Sequence, residues 1–517
     1  MSTTAPHHRR WAALAALLTA EAMNLLDATI VQVAAPRMRA ELGGRVSAVP
    51  WLTSAYTLPF AVLLLTGARL GDRAGRRRVF RIGVTGFLLA SLACAAAPTL
   101  GALIAFRAVQ GAAAALIVPQ TIGLIKAMFR GDETARALGS IGPVMGLAAV
   151  CGPVLGGVLT HADLFGSSWR AVFLVNVPLS LAVLALAPLL AEDRAPRRPG
   201  LDPAGTALAV PATSLLVLPL LRSGGGLTDG PALASLAGGC ALAVVFAAHQ
   251  RRGGRRGRGT LVETSLFASA RFPAALVCSA LFFGAGTGLT LVVVLQLQVG
   301  SGADALTAGL TLLPCSAGMA AASWCAGAYL VGRYGARVRS AGLAVMAAGV
   351  LMTAGAFGAG GHPALLPCAL AVVGVGQGLF TPSFFTAALH PLRPQEIGSA
   401  AGLLNAVQQL GTTLGVAALG RIYLASADTA GAQQACWAGL AALALVAVAG
   451  RAMRTGRGPE AVSGPEAVDG PDAVRSPDAV DGPDAVRSPG SSPGSSPAES
   501  EAAPEPAAEP LEPTHAR

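Results

Sequence analysis

Three ionisable residues lie deep inside apolar runs of this chain: Glu21, Asp27 and Arg107. A charge in hydrocarbon costs about 3 kcal/mol or more unless it is paired or wetted, so each is a candidate functional group. Asp27 lies nine residues before Pro36 and Arg107 nine residues after Pro98. If these prolines mark helix ends on one side, both groups sit about 13 Å from that boundary at 1.5 Å per residue and can face one cavity. Desolvation favours the protonated acid at Asp27, whereas approach of Arg107 favours the carboxylate. A movement that changes their separation would therefore take up or release a proton; a static buried pair is the alternative. Glu21 is six residues from Asp27, about 9 Å along a helix and about 120° around it. It cannot share the same contact, but it could hold a cation or carry a second proton.

The elements that must position these groups are membrane helices. Mean hydropathy is +0.59, with 53% hydrophobic and 12% charged residues, where soluble proteins carry roughly a quarter charged. A crossing helix needs about 20 residues. Fourteen such spans are expected near 11–33, 50–68, 79–97, 99–122, 137–160, 170–191, 204–221, 231–249, 272–294, 305–331, 340–358, 363–389, 399–422 and 433–450. The fold class is an all-α membrane protein. The net charge of +10 does not require nucleic acid, because the arginines gather in alternate loops: 7–10, 69–81, 126–136, 194–198, 251–258, 333–339 and 451–457. That pattern orients a polytopic protein with both termini cytoplasmic in the cell membrane. The loop around Arg37, Arg39 and Arg45 departs from it.

The chain also repeats itself. Gly67, Ala68, Leu70, Arg73, Gly75 and Arg77 recur as Gly327, Ala328, Leu330, Arg333, Gly335 and Arg337, and Gly111 and Pro119 recur as Gly374 and Pro382. The two offsets, 260 and 263, relate an amino-terminal six-helix half (11–191) to a carboxy-terminal half (272–450). Between them lie two extra helices (204–249) and a basic cytoplasmic loop (250–271). Residues 1–10 form the cytoplasmic N-terminus. From 451 to 517 the composition shifts to hexapeptide repeats and then Ser, Pro, Ala and Glu, which predicts a disordered cytoplasmic tail.

The stretch Gly67–Arg77 reads as a short basic turn. Asp72 can pair with Arg73, Arg76 or Arg77 across neighbouring helix ends, while Gly67, Gly71 and Gly75 allow a tight turn and close packing. Such a loop could latch an outward-facing state, or serve only as a positive anchor. The second copy has Gly332 where the first has Asp72, so a latch there should be weaker. In the fifth span Gly142, Pro143 and Gly146 recur as Gly152, Pro153 and Gly156, followed by Gly157, giving a kinkable helix with a closely packed face.

Together these stretches resemble the major facilitator superfamily, and the span count resembles its fourteen-helix drug:proton antiporter branch. The resemblance covers about 10–450. Residues 26–36 are similar to the branch's first-span motif, with Gln32 and Ala35 as departures. Arg107, Gln110 and Gly111 match its fourth-span motif, and Gly152, Pro153, Gly156 and Gly157 its antiporter motif. Residues 169–178 resemble the entry to span six, and 398–415 that of span thirteen, with Gln408 where Arg is common. The resemblance implies two six-helix halves working by alternating access, with Asp27, Arg107 and Glu21 coupling protons to efflux of amphipathic drugs or antibiotics. The expected partners are a small-molecule substrate, protons and membrane lipid, not nucleic acid, with the monomer as the working unit. No enzymatic activity, metal or cofactor is expected, and no ATP-binding GxxxxGK[ST] is present. An uptake symporter or facilitator on the same fold, and a non-transporting receptor or scaffold that uses the tail, remain alternatives.

Overall fold

The computed structural model describes residues 7–163, 166–193, 200–222, 229–256, 260–358, 365–390, 392–393 and 396–455. The hexapeptide tail from 456 onward lies outside the described residues. Fourteen long helices follow one another: α1 (His7–Leu42), α2 (Val49–Ala74), α3 (Arg76–Ala95), α4 (Leu100–Met128) and α5 (Ile141–His161); α6 (Ser168–Leu189); α7 (Pro203–Leu221), α8 (Gly230–Arg255), α9 (Arg271–Leu295), α10 (Ala305–Cys325), α11 (Ala336–Gly358), α12 (Leu365–Leu389), α13 (Ile397–Ser426) and α14 (Thr429–Thr455). Among the described residues 13 are long and apolar enough to cross a membrane. α13 is equally long but is diluted by Asn405, Gln408 and Gln409, and it completes the fourteen-helix membrane protein. Two π-helical turns, Gln296–Gly300 and Ala326–Leu330, extend α9 and α10.

Several expected boundaries move. α1 runs through Pro36 to Leu42, so Pro36 does not end it; the helix absorbs the missing N–H, and Arg37 and Arg39 are helical rather than in a loop. α8 carries Arg251, Arg252 and Arg255, which had been assigned to the basic loop. α14 continues to Thr455, five residues into the expected tail.

The packing follows the repeat. In the first half α1 packs on α5, and α4 on α2 and α3; in the second α9 packs on α13, and α12 on α10 and α11. The halves meet along two seams, α5 on α10 and α2 on α13. The end of the bundle that holds the chain's first and last helical turns is called here the terminal end, and the opposite end the distal end. One core joins distal residues of the first half, such as Ile30, Val33, Leu52 and Trp169, to the second half through Val292, Leu295 and Leu419. The first half's terminal side has its own core around Leu17, Phe80 and Leu124, which takes from the second half only Ala406.

The distal end is thus closed. Gln32 Nε2 donates to the Thr287 carbonyl at 3.1 Å and Gln298 Nε2 to the Val33 carbonyl at 2.7 Å, while His161 meets Asp304 at 3.1 Å. At the α5–α10 seam a methyl added to Gly157 would lie 2.8 Å from the Ala305 carbonyl. The glycine is needed for this close crossing.

The extra pair, α7 and α8, leans on the α2–α13 seam. At the distal end Trp51 donates to the Leu221 carbonyl at 3.0 Å, and Arg421 of α13 donates to the carbonyls of Pro219 and Arg222 at 3.1 and 3.0 Å. These bonds satisfy carbonyls left open where α7 ends. At the terminal end Thr66 and Arg69 of α2 hold α7 and its leading segment through Thr206 and the Gly200 carbonyl. Asp202, the N-cap of α7, accepts from Gln250 and contacts His249 on α8, joining the two helices.

Candidate functional site

Asp27 and Arg107 do meet. Asp27 is fully buried and Arg107 is 1% exposed; Arg107 Nη1 donates to Asp27 Oδ2 at 2.5 Å. Because α1 does not end at Pro36, the shared depth of the two follows from their contact and not from the prolines.

The pair belongs to a wider network. Gln110 lies three residues after Arg107, on the same face of α4. Its Oε1 accepts from Arg107 at 2.7 Å, and its Nε2 donates to Asp27 Oδ1 at 2.9 Å and to Ser91 of α3 at 3.0 Å. Asn176 Nδ2 donates to the same Asp27 Oδ1 at 2.8 Å. Arg107 Nε reaches the Leu52 carbonyl at 3.3 Å, and the guanidinium lies over the Tyr56 ring, 4.3 Å from its centroid. Tyr56 in turn donates to Asn24 Oδ1. Helices α4 and α6 therefore bond the Asp27 carboxylate of α1 directly, and α2 and α3 brace its partners. Such a pair is held by geometry and by its further hydrogen bonds, since the Coulomb gain of two buried charges is largely offset by desolvation.

α6 shows how local sequence sets this geometry. Pro178 offers no N–H to the Leu174 carbonyl, and the helix breaks at Val175 before resuming at Asn176. Trp169, Phe173 and Asn176 fall at i, i+4 and i+7, one face of a helix. Trp169 and Phe173 are buried edge to face at 6.2 Å, which seats Asn176 against Asp27.

Glu21 is buried on α1 and does not join this network; it faces Thr121 of α4. Among the described residues no basic side chain pairs with it. It shares a side of α1 with Gln32, eleven residues on, which is three turns plus about 20°. Gln32 reaches the second half, whereas the neighbour of Glu21 is Thr121 on α4 of the first half.

The expected turn at 67–77 is mostly helix: α2 continues through Ala74 and only Gly75, at φ +104°, breaks it. Gly335 repeats this with φ +51°. Arg76 donates to Asp72 at 2.6 Å and meets Asp193, after α6, at 3.3 Å. Gly67 and Gly71 lie against α4, and Gln120 there donates to the Gly67 carbonyl at 2.9 Å. Arg73 is exposed and Arg77 half-buried. Among the described residues no hydrogen bond or ion pair joins this stretch to the second half. Gly152 and Gly156 of α5 pack on Thr29 and Ile30 of α1, while Pro153 and Gly157 meet Gly309 and Ala305 of α10. The antiporter-like stretch therefore lies between α1 and a seam.

Sequence reasoning missed Asn176, Ser91, Tyr56 and Asn24, and gave Gln110 no role. The available signal was the same for each: a hydrogen-bonding side chain in an apolar run.

A polytopic bundle of two matching six-helix halves, with a buried carboxylate between helices of one of them, is the architecture of a secondary transporter. The model of the Major Facilitator Superfamily matches residues 17–416, and the chain belongs to that family; its role is transport rather than catalysis. It is 44% identical over 423 residues to the probable actinorhodin transporter of Streptomyces coelicolor, covering 81% of this chain and 73% of that protein. It is 34% identical to the puromycin resistance protein pur8 of Streptomyces alboniger, covering 81% and 82%, and 33% identical to the multidrug resistance protein Stp of Mycobacterium tuberculosis, covering 78% and 74%. These relatives place it in the drug-efflux branch of the family. In fold it is similar to the inward-facing, unoccupied crystal structure of a bacterial homolog of the human lysosomal transporter Spinster, with TM-score 0.63 at 18% identity, covering 87% of this chain and 98% of that one.

Proposed function

We propose that this transporter exports amphipathic small molecules of the drug or antibiotic class across the cell membrane in exchange for protons, by alternating access. The observation that carries the reading is the Asp27 carboxylate, held by Arg107, Gln110 and Asn176 within one half. Its bonds come from two other helices, α4 and α6, so rearrangement of that half changes how strongly the charged form is favoured. The relatives' names for antibiotic transport and resistance support the substrate class. The arginine-rich ends support a cytoplasmic terminal end, which makes the closed distal end the outer one. The driving force is the proton gradient, with no cofactor: one pH unit is worth about 1.4 kcal/mol per proton, and 100 mV about 2.3 kcal/mol per charge moved. Glu21, buried with no basic partner among the described residues, is the candidate contact for a cationic substrate or a second proton.

The test uses acidified inside-out vesicles carrying the full chain. Adding a panel of cationic and neutral drugs should raise the internal pH, and a protonophore should abolish drug accumulation. Accumulation that continues unchanged after the proton gradient is collapsed would mark a facilitator or another driving ion.

A further inference from the structure

The two amides on Asp27 are not equivalent. Gln110 is committed at both ends: Nε2 donates to Asp27 and Ser91, and Oε1 accepts from Arg107. Turning it over would break the Arg107 bond. Asn176 is committed at one end only, because Nδ2 donates to Asp27 while Oδ1 is buried without a partner. An ionised carboxylate only accepts, so it fixes Nδ2 toward itself; a carboxylic acid also donates, and needs an acceptor.

We infer that Asn176 is a positioning residue that bonds both protonation states of Asp27, through Nδ2 to the carboxylate and, after a half-turn of its amide, through Oδ1 to the acid. This rests on the reading of Asp27 as the proton carrier. On uptake one proton from water forms an O–H bond at Asp27 Oδ1, and no bond within the protein breaks. The Asn176 amide turns to accept that O–H. Arg107 loses its ionised partner but keeps Gln110 Oε1 and the Leu52 carbonyl, and the net charge of the cluster rises by one. The other titratable groups around Asp27 are Glu21 on its own helix, Tyr56 on α2, Cys94 on α3 and Arg107 on α4. The residues of α6 facing it, Phe173 and Asn176, and the glycine-rich face of α5 against α1 are not titratable.

The test is an infrared pH titration of the carboxylic C=O stretch in purified full-length protein, with Asp27→Asn assigning the band. In Asn176→Leu the acid loses an acceptor and the carboxylate a charge-assisted donor, the stronger of the two. The midpoint should therefore move up by about one pH unit, a tenfold change in proton affinity, and the acid band should move to higher frequency. Asn176→Ser, whose hydroxyl is too short to span the same gap, should move both in the same direction with a milder change in packing. Ser180→Ala, which removes a buried α6 hydroxyl bonded to Met23 instead, should leave the midpoint in place. Unchanged midpoint and frequency in both Asn176 variants would overturn the inference. If those shifts occur but wild-type vesicles move no protons on adding drug, Asn176 keeps its role and the antiport reading fails by itself.

Discussion

The two halves of this bundle share a helix plan but not an interior. At the repeat offsets, Asp27, Arg107, Gln110 and Asn176 of the first half correspond to Thr287, Leu370, Val373 and Cys436 of the second. The first set forms a salt-bridged, hydrogen-bonded network; Leu370, Val373 and Cys436 are simply buried. Thr287 offers only its backbone carbonyl, to Gln32 of the opposite half. Duplication thus preserved the packing scaffold, while among the described residues the buried carboxylate–arginine pair occurs in one copy. A carboxylate in this setting needs a matched cation and several donors, and the first half provides them in Arg107, Gln110 and Asn176. Proton chemistry is therefore expected to reside in one half, with the other acting as the surface it moves against.

The strongest way to break that asymmetry is to remove one charge. Arg107→Ala leaves a buried carboxylate without its cation and should cost about 3–5 kcal/mol, seen as loss of folded protein or a large fall in thermal midpoint. Leu370→Ala, at the matching place, should behave as an ordinary core truncation and leave any pH dependence of exchange where it was. Next comes the seam. Gly157→Val puts a branched side chain against the Ala305 carbonyl and should disfavour the distal-closed state by about 1–3 kcal/mol, as overpacking does. Accessibility of a distal reporter cysteine should rise accordingly.

A smaller effect is expected where the extra pair straddles the halves. Arg421→Ala removes the bonds to the Pro219 and Arg222 carbonyls and should shift the equilibrium toward distal-open by about 1–2 kcal/mol, the scale of a hydrogen bond from a charged donor. The smallest is Asp72→Asn. In this state its partner Arg76 is a neighbour on the same side of the bundle and both are partly exposed, so stability should change by less than about 1 kcal/mol. A larger stability change in distal-closed protein would show that the pair contributes more here than its exposure allows.

How much of this was readable without coordinates follows from the physics of each feature. The helices and the duplication were legible because apolar runs of spanning length and an offset repeat are long-range patterns. The Asp27–Arg107 contact was legible because two isolated charges at matching depth have few other partners. Pro36 misled, since a proline near the end of a long helix can be absorbed by its neighbours rather than stopping it. Asn176 and Ser91 were not assigned because neutral polar residues occur in membrane helices for many reasons, and only the fold shows which ones share a carboxylate. The stretch from Gly67 read as a loop because its charges suggested one, yet glycines at 67 and 71 serve helix packing, and Gly75 alone makes the turn.

The most direct test of proton chemistry in one half is drug-triggered proton movement in vesicles carrying Asp27→Asn, set beside Glu21→Gln. The account predicts that Asp27→Asn abolishes the internal pH rise for every drug, whereas Glu21→Gln retains it and loses, at most, the response to cationic drugs. Undiminished exchange in Asp27→Asn together with its loss in Glu21→Gln would contradict the account and move the coupling site to Glu21, beside Thr121 of α4.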